Sequence, residues 1–149
     1  MLDFFRKLFS YDEWAIGRSL GLIDASSASK AKLLLSHILL AEKIWLTRLN
    51  GNDSAGIPTF EEFPVEECER MVSELHRGYI KFIHSLSESD LNRSITYKNT
   101  KGEEFSTPIH EILTHVGLHS AYHRGQIAWL VREGGDTAIN TDFITFTRI

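Results

Sequence analysis

Leu113-Thr114-His115-Val116-Gly117-Leu118-His119-Ser120-Ala121-Tyr122-His123-Arg124-Gly125-Gln126-Ile127 mixes apolar residues and histidines in one helical rhythm. Extended both ways, it gives a seam of Ile109, Ile112, Val116, His119, His123, Ile127 and Leu130, in steps of three and four. That period belongs to an amphipathic helix and not to a strand. Histidines stand at i, i+4 and i+8 within it. Residues four apart are neighbours on a helix, so His119 and His123 can reach one metal ion at the usual zinc–nitrogen distance of about 2.0–2.1 Å. Thr107 is the expected N-cap of this helix, with Pro108 in its first turn and Gly134-Gly135 as its stop.

Three more helices follow from the same rhythm. The first runs from about Leu2 to Ile23, with Leu2, Phe5, Phe9, Ile16, Leu20 and Ile23 on one face. The second opens at Ser29, a good N-cap, carries Leu33, His37, Leu40 and Ile44, and stops near Asn50-Gly51. Residues 51–63 are rich in Gly, Asn, Asp and Pro and read as a loop. The third starts near Pro64 with a seam of Val65, Cys68, Val72, Leu75, Tyr79, Phe82 and Leu86. Ile95-Thr96-Tyr97 and Glu104-Phe105 flank Asn99-Thr100-Lys101-Gly102, a hairpin signal. Asp136 to Ile149 is expected as an extended tail. Four amphipathic helices without a βαβ rhythm make this an all-α four-helix bundle. The short linkers after the first and second helices suit antiparallel neighbours, and the longer stretch before the last helix suits a crossing of the bundle end.

At 149 residues the chain is expected to form one domain, 1–149, with a true core. Its net charge of −4 argues against nucleic acid, whose partners show a basic surface. No apolar run reaches the roughly 18 residues of a membrane span. The N-terminus lacks the features of a signal peptide, and the single cysteine, Cys68, forms no internal disulfide. Together these point to the cytoplasm. Cys68 lies on an apolar seam and reads as a buried, inert thiol.

His37 lies between Leu33 and Leu40 on its helix, as His119 and His123 lie within theirs. Inward imidazoles need partners, because an unsatisfied buried polar group costs about 1–3 kcal/mol. A shared metal ion supplies one, with a second acceptor on the other ring nitrogen. Unrelated hydrogen-bonded core histidines are the alternative. Three histidines leave a coordination position open, as in catalytic zinc sites. An open position lowers the pKa of bound water, or binds and ionises a thiol. Imidazole suits several metals. Ser120 stands where the His-Glu-x-x-His motif places its base, so this is not a zinc protease. Gln126, His115 and Asp12 are the candidates for groups around the ligands. Asp12 should stand about 9 Å along the axis from the level of His37. Tyr122 is expected at the cavity edge. His76, His84 and His110 form no constellation, and Trp14, Trp45 and Trp129 read as core or subunit-interface residues.

His119-Ser120-Ala121-Tyr122-His123-Arg124-Gly125-Gln126-Ile127, its spacing to His37, Leu40-Ala41-Glu42-Lys43-Ile44-Trp45-Leu46 and Tyr11-Asp12-Glu13-Trp14-Ala15 resemble the DinB/YfiT-type metalloproteins, which are unrelated to the DNA polymerase of the same symbol. The resemblance implies an up-down-down-up bundle, commonly a homodimer. It also implies one divalent metal, nickel or zinc, held by His37, His119 and His123. Members of the wider superfamily include mycothiol-dependent maleylpyruvate isomerase and bacillithiol S-transferases, and some members are induced by DNA damage. The expectation is therefore a metal-dependent S-transferase that activates a low-molecular-weight thiol against a small-molecule substrate. The alternatives are a metal-dependent hydrolase, or a non-catalytic, stress-related metal-binding dimer.

Overall fold

In the computed structural model, residues 1–24 and 29–149 are described. Four long helices, α1 (Leu2–Asp24), α2 (Ser29–Leu49), α3 (Val65–His84) and α4 (Ile109–Glu133), form the bundle. A 3-10 turn at Ser89–Asn92 and an antiparallel hairpin, β1 (Ser94–Lys98) with β2 (Glu104–Pro108), precede α4. Ser94 pairs with Pro108 and Lys98 with Glu104. Among the described residues no helix is long and apolar enough to cross a membrane.

Contacts between the helices fix their directions. Phe9 stacks on Tyr79 at 4.3 Å and Glu13 meets His76 at 3.2 Å, so α1 and α3 are antiparallel. Ser36 lies 3.8 Å from Cys68, while Leu46 packs on Gly78, so α2 and α3 are parallel. His37 meets His123, while Trp45 meets His115, so α2 and α4 are antiparallel. The order is up-down-down-up. α1 and α2 each pack chiefly on α3 and α4 and meet each other sparingly. The expectation of antiparallel neighbours from linker length fails here: α1 and α2 lie across a diagonal, and α2 runs parallel to α3. The physical reason is reach. Residues 50–64, extended at about 3.3 Å each, can span roughly 50 Å, more than the roughly 30 Å of a 20-residue helix.

Every apolar residue named for the α1 face is buried. So are all the α3 seam residues except Val65, which is half-buried. The core falls into two joined regions. Phe5, Phe9, Tyr79, Ile83, Ile109 and Leu113 form the one nearer the hairpin. Ile16, Leu35, Leu39, Cys68, Ile127 and Val131 form the other. Tyr79 is the largest fully buried side chain, and its hydroxyl donates to the Glu42 carbonyl at 2.8 Å.

One helix start differs from expectation. Thr107 is not the cap of α4, because β2 extends to Pro108 and the Thr107 hydroxyl lies 3.2 Å from that of Tyr97. The cap expected at Ser29 falls outside the described side chains. The tail has no regular structure over residues 136–142 and then closes one helical turn, α5 (Phe143–Phe146), whose rings pack on Tyr11 and Trp14.

Candidate metal centre

The rotation of α4 decides the site. Leu113, Gly117, Ser120, Arg124 and Val131 are buried beside Ile109, Val116 and Ile127. His119 and His123 are therefore half-buried at the edge of the inward face, which corrects their expected placement in the core. Each residue turns the helix by about 100°, so the polar Ser120 and Arg124 take the inward positions next to them. His37, near the middle of α2, is likewise half-buried.

His37, His119 and His123 nevertheless converge. One ring nitrogen from each lies within 4.8 Å of the others, a group that could hold a metal ion. The His37 ring centroid is 5.1 Å from that of His119 and 4.7 Å from that of His123. The Nδ1–H of His37 donates to the Thr59 carbonyl at 2.6 Å, and that of His123 to Gln126 Oε1 at 2.7 Å. Both rings thus keep Nε2 free, and metal-binding histidines are commonly held in this way. The residues fit a metal ion: three neutral donors, two with their tautomers set by an oxygen behind them.

Burial, reinforced by His123, His37 and His115, holds the His119 pKa down at about 4. Burial also lowers His123, partly offset by Gln126. At neutral pH both rings are deprotonated, the form that ligates. Unfolded histidine titrates near pH 6.5. For His119, stability is full above that value and declines as pH falls toward about 4, where the folded ring also takes its proton. We expect the melting temperature of metal-free wild type to fall between pH 7 and pH 5, and less in His119→Gln.

His115 packs edge-on against Trp45, its ring 5.7 Å from His119, outside the trio. Tyr122 is exposed and lies edge-on to His123 at 5.1 Å. Asp12 reaches none of the three rings; its partner is Arg124. His76 and His110 have their own partners, Glu13 and the Leu91 carbonyl, and His84 is exposed. The Cys68 thiol is buried beside Ser36, and burial pushes its pKa up, as an inert thiol requires. Sequence reasoning missed Thr59 and Phe60. Phe60 stacks on His37 with centroids 4.1 Å apart, nearly parallel. Both lie in a loop whose composition signals only irregularity.

The DinB family matches residues 5–149, nearly the whole of this fold. The chain belongs to the DinB family. Protein DinB of Bacillus subtilis (strain 168) is 26% identical to it, over 96% of this chain and 93% of that protein. No solved structure matches. Within this DinB-family bundle the histidine trio stands where α4 faces α2, under the loop that carries Thr59 and Phe60.

Proposed function

We propose that His37, His119 and His123 bind one divalent metal ion, nickel or zinc, and that the centre activates a low-molecular-weight thiol for transfer to an electrophilic small molecule. One observation carries this reading: the donor set is three neutral imidazoles on two helices, with no carboxylate among them. Such a set leaves the full charge of a dication available to stabilise a thiolate at an open position. The chain's own part is to hold the rings. The Thr59 carbonyl orients His37, and Gln126 orients His123. Phe60 and Tyr122 flank the trio with apolar surface suited to the body of a substrate. Among the described residues no carboxylate joins the trio, which ranks hydrolysis by a carboxylate base below thiol transfer.

The test is to load the protein with metal and offer bacillithiol, mycothiol and glutathione with a panel of electrophiles. Metal-dependent conjugation with one of them is expected. Failure with all three, or thiol-independent turnover of a hydrolysable substrate, sinks the reading. Gln126→Ala is expected to weaken metal binding by about 10–100-fold while leaving the fold intact, as competition with a chromophoric chelator would measure.

Leu118, Tyr122 and Trp129 form an exposed stripe on α4, away from its buried face. We propose that it seats a second copy of the chain. Light scattering should then give twice the chain mass, and Trp129→Glu should return it to one. A cytoplasmic location belongs to the same reading.

A further inference from the structure

Asp12 of α1, Glu42 of α2 and Arg124 of α4 meet inside the bundle, exposed by only 3%, 5% and 3%. Arg124 Nη1 donates to Asp12 and to Ser120, and its guanidinium lies 5.1 Å from the Tyr11 ring centre. Glu42 Oε1 is buried and has no partner. The guanidinium is paired with Asp12, and Glu42 stands beside that pair with no ion pair of its own among the described residues. The other charged and titratable groups around them do not change that. Glu13 of α1 is paired with His76 of α3, and Tyr79 of α3 gives its hydroxyl hydrogen to the Glu42 backbone carbonyl. A second anion here would be desolvated and uncompensated, a state proteins avoid by taking up a proton.

We propose that Glu42 is held as a neutral acid sharing its proton with Asp12, and that this pair, through Arg124 and Ser120, sets the helices that carry the histidines. Burial drives the Glu42 pKa well up, and the Asp12 charge and its hydrogen bond to Glu42 push it further; Arg124 and Ser120 offset part of the rise. A cavity of about 10 Å³, lined in part by Asp12, Glu13, Glu42 and His76, adjoins the pair. It has room for one water, which would serve both Glu42 Oε1 and the unpartnered Nδ1 of His76. The shared proton is a property of the fold. Its bearing on the ligands rests on the metal-site reading above.

The sign of the effect is fixed. Unfolded glutamate ionises near pH 4.3, whereas folded Glu42 keeps its proton to a higher pH. Wild type therefore loses stability as pH rises between those values, and Glu42→Gln, which mimics the neutral acid, does not. Metal-free wild type and Glu42→Gln should be unfolded in urea at pH 5, 6, 7 and 8. The ratio of their folding constants should rise in favour of the variant, by up to about tenfold per pH unit. Groups away from the Asp12–Glu42 pair titrate alike in both chains and cancel, so the ratio reads the pair.

Infrared spectra at pH 7 should show a protonated-carboxyl band that Glu42→Gln removes. Asp12→Asn should remove it too, because Arg124 then claims Glu42 as its anion. A flat ratio, or no such band, overturns the proposal. Cobalt titration separates the two parts. Glu42→Gln should bind like wild type and Glu42→Ala at least about tenfold more weakly, as expected for loss of a supporting group. Equal binding by Glu42→Ala overturns the positioning role. No cobalt uptake by wild type overturns the metal reading and leaves the infrared result to decide the proton.

Discussion

Purified without chelator, the wild-type chain should carry about one divalent metal ion per molecule, and His119→Ala close to none. His119 is the histidine to remove first because it is the one whose pKa burial and its histidine neighbours hold down to about 4, so it offers a neutral ring over the widest pH range. Its loss leaves His37 and His123 on opposite helices with two donors for an ion that needs at least three from the protein. Elemental analysis beside circular dichroism checks the result. A helical spectrum with the metal gone would establish the site. Equal metal in both chains would show that the imidazoles are not the ligands. Acid should act in the same direction: the rings must be unprotonated to bind, so occupancy should be lost as pH falls toward about 4, where His119 takes its proton.

The largest loss of stability is expected from Arg124→Met. Methionine replaces the stem of the side chain and ends two atoms short of the terminal guanidinium nitrogens, so the apolar part of the packing is kept. The substitution removes the cation facing Asp12 and leaves a carboxylate buried beside Ser120 and Glu42. Breaking one partner of a buried pair costs about 3–5 kcal/mol, a third or more of the total stability of many domains. Urea unfolding of the metal-free chain measures it. Arg124→Met combined with Asp12→Leu should recover most of the loss, because the pair itself contributes little beyond an apolar replacement. A double variant no more stable than Arg124→Met would show that the guanidinium matters through packing and not through charge.

Apolar periodicity, with cap and stop residues at the ends, located the four helices to within a residue or two, because most of their buried faces are continuous runs of apolar side chains. The trio was legible for a related reason: two of its members share one helix at a spacing of four. The inward positions of Ser120 and Arg124 were not legible. Their polar side chains suit the interior only because Asp12 and Glu42 arrive from two other helices, and a single-helix pattern carries no record of that. Asp12 was singled out as an interruption of an apolar face, but its partner could not be read from α1. The Thr59 carbonyl that orients His37 is a backbone group, invisible to side-chain patterns. Helix adjacency was hidden as well, since linker length limits reach without choosing direction.

The helices that carry the histidine trio are the second and the last of the four long ones, which sets a time order during synthesis. His37 leaves the ribosome early, and its imidazole has no counterparts until α4 follows. A nascent chain stalled before α4 holds one of the three donors and cannot compete for an ion against ordinary cellular ligands. On the proposed metal-site reading, ion capture would report that α4 has been made and docked against α2.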